Sequence, residues 1–199
     1  MVTSVAPHGS VAVTVKVSVK SLVSVAIEKL TLGPLGTNCF LVADNSIKDC
    51  VVVDPAWDAR VIMERITARD WNLTAVWLTH AHFDHFGALS GLTRRHHGLP
   101  LALHRLELPL YQAGGGADAW GIDMKDLPEP TLWLEDLQYL ELGSYKFEVL
   151  FVPGHTPGRP VTIPARPASR GSMKIRGVLP PVPTPLRDDA IERDAMRHN

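Results

Sequence analysis

The stretch WLTHAHFDHFGAL, residues 77–89, places an apolar run, a cluster of polar side chains and a helix start in immediate succession. The run LTAVWLT that leads into it is short and apolar, which predicts a buried strand. His80, His82, Asp84 and His85 then fall within six positions. Because open sheets place their sites beyond the carboxyl ends of buried strands, this succession predicts layered sheets with helices outside, an α/β or α+β fold.

The rest of the central region alternates between predicted strands and helices. IEKLTLGPLGTNCFLVAD predicts two short strands around a Gly-Pro-Leu-Gly turn, and CVVVDP and PLALH predict buried strands. AWDARVIMERITARD has apolar residues at helical spacing, and a second helix is predicted over about 88–97. QYLELGSYKFEVLFVPGH predicts a hairpin joined at Gly143-Ser144, which ends in a second Gly-His turn.

Composition excludes several classes of protein. The chain has 199 residues, 45% of them hydrophobic, which suits one domain with a sizeable core or a domain with an extension. The formal net charge of −1 argues against a nucleic-acid or membrane partner. We interpret Cys39 and Cys50 as buried thiols and expect a cytoplasmic location, although the sequence also permits one disulfide between them.

The N-terminal segment VAVTVKVSVKSLVSVAI alternates valine with other residues, which is strand periodicity. It is interrupted by Lys16 and Lys20, unlike the apolar run of a signal peptide. An extra edge strand and a low-complexity leader are both compatible with it. We favour the leader and assign residues 1–26 to an N-terminal extension.

The polar cluster has the donor chemistry of a metal site. In an extended chain the imidazoles of His80 and His82 point to the same side, and Asp84 and His85 follow at the turn into a helix. Imidazole nitrogen and carboxylate oxygen are the usual ligands of Zn²⁺ and also suit Fe and Mn. His155 follows another predicted strand end. Three histidines with an open position are typical of a catalytic metal.

A lone histidine is usually a surface or hydrogen-bonded residue without a role in chemistry. We give that interpretation to five of them: His8, His96, His97, His104 and His198.

These motifs together resemble a known family. THAHFDHFGAL matches the H-x-H-x-D-H motif of the metallo-β-lactamase-fold hydrolases. LTLGPLGTNCFLVAD, VVVDPAWD and FVPGHTPG resemble its glyoxalase-II-like branch, the relatives of hydroxyacylglutathione hydrolase. The resemblance runs from about Leu30 to Gly158 and implies an αββα sandwich, an α+β fold, over a domain of residues 27–158.

The resemblance also implies roles for individual residues. His80, His82 and His155 would hold a first metal, and Asp84 and His85 would begin a second metal site. The expected cofactor is zinc, one or two ions, with iron or manganese possible.

The implied reaction is attack of metal-activated hydroxide on a thioester or ester carbonyl of a small molecule, with Asp84 as the catalytic residue that orients water and transfers a proton. Asp54 resembles an aspartate that supports the site, while a plain Asp-Pro turn explains it equally well. Two alternatives are a mononuclear iron persulfide dioxygenase and a non-catalytic metal-binding remnant.

The chain departs from the family after Gly158. Relatives continue to a Gly-Asp turn, whose aspartate bridges the two metals, and to a final metal-binding histidine. Residues 159–187 contain no Asp, Glu, His or Cys, and residues 159–199 hold seven of the sixteen prolines. We treat 159–199 as a divergent Pro/Arg-rich tail and favour a shifted reading frame or truncated gene over a tail that binds acidic partners or RNA.

Four expectations follow from this departure. The second half of the sandwich should be incomplete, and its sheet should expose an apolar face. The tail should be mostly irregular. The protein should bind about one metal equivalent, because a site with two ligands holds an ion weakly.

Overall fold

A computed structural model describes residues 24–151, residue 156 and residues 160–164 of the chain. Its first sheet has six strands in chain order: β1 (Val25–Leu32), β2 (Thr37–Asp44), β3 (Asp49–Val53), β4 (Asn72–Trp77), β5 (Leu101–His104) and β6 (Leu132–Leu134). The pairs β1–β2 and β2–β3 are antiparallel, and the pairs from β3 to β6 are parallel. The carboxyl ends of β3 to β6 therefore meet at one edge of the sheet.

The second sheet is antiparallel and has three strands in the order β7 (Tyr139–Leu142), β8 (Tyr145–Phe151) and β9 (Pro160–Pro164). The helices are α1 (Ala59–Ala68), α2 (Phe83–Phe86), α3 (Leu89–Arg95) and α4 (Leu108–Gln112), with 3₁₀ segments at Arg105–Glu107 and Gly114–Trp120. None of the helices in the described part of the chain is long and apolar enough to cross a membrane.

The first sheet is buried on both faces, because alternate side chains along its strands point into two different cores. Along β2, Cys39 and Leu41 point into a core shared with the helices, while Phe40 and Val42 point into a core shared with the second sheet. The same alternation continues along β3. Between the sheets, the rings of Trp77 and Phe147 meet edge to face with centroids 5.3 Å apart. The described residues thus form three layers: helices, first sheet and second sheet.

The predicted strands and helices of the central region are confirmed, including the β7–β8 hairpin, in which Leu142 opposes Tyr145 across the predicted turn. β1 begins at Val25, just inside the predicted N-terminal extension, and residues 1–23 lie outside the described residues. Both cysteines are buried free thiols in strands, as predicted. Burial raises the pKa of Cys50 to about 12, so its thiol stays protonated at neutral pH.

The expectation of a mostly irregular tail is wrong for the part of it that the structure describes. Pro160–Pro164 is not irregular, because it pairs with β8 as an antiparallel strand. The expected exposed apolar face stays a prediction, and the outer face of the β7–β8 hairpin carries charged side chains. Its exposed side chains include Glu141 and Lys146, whose charged groups lie 3.1 Å apart, beside Tyr139. Residues 165–199, the rest of the predicted tail, lie outside the described residues.

Candidate metal centre

The polar cluster lies on the loop that follows β4. The backbone at His82 is still extended, and α2 begins at the next residue, Phe83. The ring centroid of His80 lies 4.9 Å from that of His82 and 3.9 Å from that of His85. His80 is fully buried and His85 nearly so. The fold thus brings three of the predicted ligands together at the edge where the parallel strands end.

Asp84 occupies the first turn of α2, beside the ring of His85. Its Oδ2 accepts a hydrogen bond of 2.6 Å from the hydroxyl of Thr37, at the start of β2. The same oxygen lies 3.6 Å from Nε2 of His85. Thr37 is itself buried, so the carboxylate is held by a rigid strand instead of a mobile loop. Asp84 is therefore oriented toward the histidine cluster.

Asp54 directly follows β3 and supports the histidine cluster through its hydrogen bonds. Its backbone has a left-handed φ of 51°, and its amide donates to the carbonyl oxygen of Trp77 at 3.0 Å. One carboxylate oxygen accepts from the backbone N–H of Thr79 at 2.8 Å, and the other from the Thr79 hydroxyl at 2.7 Å. The second oxygen also meets Nδ1 of His85 at 3.0 Å. This is the supporting position that the resemblance implies for Asp54.

These contacts fix which ring nitrogen carries a proton in two histidines. A carboxylate oxygen only accepts, so Nδ1 of His85 donates to Asp54. The single hydroxyl proton of Thr79 is committed to Asp54, so Nδ1 of His80, 3.0 Å from that hydroxyl, must donate to it. With the proton on Nδ1, the neutral form of each ring has its lone pair on Nε2. Carboxylate or hydroxyl partners that fix histidine tautomers in this way are typical of metal-binding imidazoles.

The donor set fits a metal by its chemistry. It supplies imidazole lone pairs and a carboxylate, which suit Zn²⁺, Fe and Mn. Within the described residues no group of three His, Cys, Asp or Glu side chains already has the geometry to hold an ion. His155, the remaining predicted ligand, lies outside the described residues. The assignment of His80, His82, Asp84, His85 and His155 as metal ligands stays a prediction.

The sequence alone did not single out three residues that position this loop: Thr37, Thr79 and Glu107. Glu107 is fully buried, and its Oε2 accepts from the backbone N–H of Ala81 at 2.8 Å. Each of the three is a polar residue at the end of a predicted apolar strand or just beyond it. A polar residue at the end of an apolar strand was a usable indication of such a role. The partner of each residue, however, is distant in sequence or lies in a turn whose shape hydrophobic periodicity does not predict.

The histidines assigned to ordinary roles behave so where they are described. Nδ1 of His104 accepts from the backbone N–H of Leu106 at 3.2 Å, and its ring packs against Phe151 with centroids 5.1 Å apart. Burial lowers the pKa of His104, consistent with this acceptor role. His96 ends α3, and His97 is exposed beyond it. His8 and His198 lie outside the described residues.

Comparison with known proteins decides the family. The family model of the metallo-beta-lactamase superfamily matches residues 32–166, more than half of the chain. The chain belongs to the metallo-beta-lactamase superfamily. The match includes the histidine loop, Asp54 and strand β9, so it extends past the point where the sequence departs from the glyoxalase-II-like pattern.

Three members of the superfamily illustrate the similarity. The chain is 32% identical over 135 residues to the hydroxyacylglutathione hydrolase GloC of Haemophilus influenzae, with 66% of this chain and 63% of that protein covered. It is 34% identical over 134 residues to the probable metallo-hydrolase YqgX of Bacillus subtilis, covering 65% and 61%. The crystal structure of TTHA1623 in a di-iron-bound form has a TM-score of 0.59 and 37% identity, covering 67% and 64%. The chain therefore spans less than two thirds of the length of each of these proteins.

An Asp54→Asn variant should bind metal about 10- to 100-fold more weakly than the parent protein, the usual effect of losing a partner of a ligand. Asparagine tolerates the left-handed backbone, but it has only one acceptor oxygen for Thr79 and His85 together. Its NH₂ group must face either the Thr79 amide or the Nδ1 proton of His85. Competition with a chromophoric chelator measures the affinity.

The matched control is Asp58→Asn, because Asp58 has the same left-handed backbone, with φ of 53°, but is exposed and accepts from the backbone N–H of Val61 as the N-cap of α1. Asparagine is an equally good N-cap, so this variant should bind metal like the parent. Equal affinity in the Asp54 and Asp58 variants would show that Asp54 does not set the histidine tautomers.

Proposed function

We propose that the protein is a metal-dependent hydrolase that cleaves thioester or ester bonds of small molecules. The observation that carries this proposal is the network around Asp54, which leaves Nε2 as the lone-pair donor in both His80 and His85. A purely structural histidine cluster would have no need for this shared tautomer. The similarity to a protein named hydroxyacylglutathione hydrolase supports a thioester as the substrate class.

The residues of the chain divide the chemistry between them. His80, His82 and His155 would hold a first metal. Asp84 and His85 would contribute ligands to a second metal site. Such an ion supplies Lewis acidity, which polarises a carbonyl group and makes water more acidic. The carboxylate of Asp84, oriented by Thr37, accepts a proton from the attacking water. The water oxygen bonds to the carbonyl carbon, the carbon–sulfur bond breaks, and the proton passes to the leaving thiolate.

The test combines metal analysis with turnover of the full chain. We expect about one retained metal equivalent, and slow hydrolysis of a hydroxyacylglutathione thioester or of a simpler activated acyl thioester. Zinc with thioester hydrolysis supports the proposal. Iron with oxygen-dependent consumption of a persulfide, or a metal-loaded protein that turns over neither thioesters nor esters, would refute it. Two tightly retained equivalents would contradict the expected count and would mean that residues after Gly158 reach the site.

A further inference from the structure

Ala81 is the single residue between His80 and His82, so its N–H and carbonyl groups belong to the two peptide units that join them. The placement of the two imidazoles relative to each other therefore depends on the orientation of this one residue. Ala81 is fully buried, and the segment from 107 to 115 approaches it from two directions. One approach meets its N–H group, and the other meets its carbonyl oxygen.

Glu107 meets the N–H group. It lies in the 3₁₀ segment directly after β5, at the edge where the strands β3 to β6 end. Its side chain is fully buried and its Oε2 accepts from the Ala81 amide at 2.8 Å. Burying a carboxylate is costly unless it is hydrogen-bonded, so a hydrophobic residue would fill this place at lower cost if only packing were needed.

Gly115 meets the carbonyl oxygen. A Cβ at this position would lie 2.6 Å from the oxygen of Ala81 and 2.5 Å from the backbone nitrogen of Phe83. Both distances are far below any tolerated contact, and both partners are backbone atoms that cannot rotate away. The neighbouring Gly116 has a similar left-handed φ, 82° against 66°, but a Cβ there would meet nothing within 4 Å.

We propose that Glu107 and Gly115 are positioning residues that fix the backbone of Ala81 on both of its peptide units and thereby set the placement of His80 and His82 for metal binding. The inference rests on the proposed function, since it assigns these two residues to the same metal site. The proposal assigns neither residue a contact with substrate or with the reacting atoms. Each acts through the backbone of the loop that carries the ligands.

The experiment uses Co²⁺ as the probe and the full chain with four substitutions: Gly115→Ala, Gly116→Ala, Glu107→Ala and Glu107→Gln. Chelator competition gives the affinity, the visible absorption of bound Co²⁺ reports ligand geometry, and thermal unfolding of the metal-free protein reports folding. Both substitutions place an alanine at a left-handed backbone position of similar φ, so both have a similar backbone cost. The difference in Co²⁺ affinity between Gly115→Ala and Gly116→Ala therefore isolates the contact with the loop.

We expect Gly115→Ala to bind Co²⁺ about 10-fold to 100-fold more weakly than Gly116→Ala, with an altered visible spectrum. Glu107→Ala should weaken binding similarly, and Glu107→Gln should recover part of it because its amide oxygen still accepts from Ala81. If Glu107→Ala does not fold, the glycine pair decides alone.

Equal Co²⁺ affinity and spectra for Gly115→Ala and Gly116→Ala would overturn the inference and leave the proposed function intact. Loss of affinity in the Gly115 and Glu107 variants, in a protein that hydrolyses no thioester, would support the inference while refuting the proposed function. A parent protein that binds no Co²⁺ would overturn both.

Discussion

Replacing Asp84 by alanine should lower the turnover of an activated thioester by about 10²- to 10⁴-fold, the usual contribution of a positioned acid or base. The carboxylate is held by the Thr37 hydroxyl beside the ring of His85, so its loss removes the proposed proton acceptor and one candidate ligand together. The variant should keep its fold, because Asp84 is partly exposed in the first turn of a four-residue helix. Steady-state hydrolysis and thermal unfolding measure the two effects separately.

Thr37→Val and His82→Ala complete this test. Thr37→Val keeps the carboxylate but removes the hydroxyl that orients it, so turnover should fall less than in Asp84→Ala. His82→Ala should abolish turnover through loss of an imidazole donor. Asp70→Ala is the control, because the side chain of Asp70 is 92% exposed and pairs only loosely with Lys48, at 4.0 Å. Turnover by Asp84→Ala equal to that of Asp70→Ala would refute the catalytic role of Asp84.

A chain in which everything after Gly158 is replaced by the usual continuation of glyoxalase-II-like proteins should bind a second metal and gain about 10²-fold or more in turnover. That continuation provides a Gly-Asp turn and a late histidine, whereas residues 159–187 offer no carboxylate, imidazole or thiol. Without a bridging carboxylate, the proposed mechanism leaves Asp84 as the main group that would position the attacking water. A misplacement of about 1 Å can cost roughly 10²-fold in rate. Elemental analysis and steady-state kinetics measure the gain.

The matched control is the same replacement with its aspartate changed to asparagine and its final histidine to alanine. This control supplies the same strands to the second sheet without the added ligands. If it gains as much activity as the full replacement, the benefit comes from stability of the sandwich and not from metal binding. If the unchanged chain already turns over the thioester as fast as the full replacement, its own residues after Gly158 do not impair the site.

The central region was predictable because burial and strand length leave a clear pattern. LTAVWLT and CVVVDP are short apolar runs, and both are parallel strands of a sheet that is covered on both faces. The histidine loop was predictable because the spacing of its histidines along an extended chain is a local property of the sequence. The family and the αββα fold followed from the resemblance of the H-x-H-x-D-H motif and its flanking segments to a known family, and both are confirmed.

The prediction for Pro160–Pro164 was wrong because composition was given more weight than local pattern. Val161, Thr162 and Ile163 are consecutive β-branched residues, which favour a strand, and the prolines stand at its two ends, where strands tolerate them. Glu107 was missed for a different reason. Its partner, the amide of Ala81, lies 26 residues away, and no periodicity reports a contact between two loops.

Among the described residues, the hydrogen bonds and close approaches given above for the histidine loop come from the first sheet and the segments that connect its strands. Thr37, Asp54, Glu107 and Gly115 precede the second sheet in the chain, and none of the contacts described for the loop involves β7, β8 or β9. Residues up to 115 contain four of the five predicted ligands, His80, His82, Asp84 and His85, whereas His155 and the second sheet come later in the chain. An exchange of the 3′ part of such a gene would therefore leave the sequence of the loop and of its described hydrogen-bond partners unchanged. It would alter the fifth predicted ligand and the strands that pack against the first sheet.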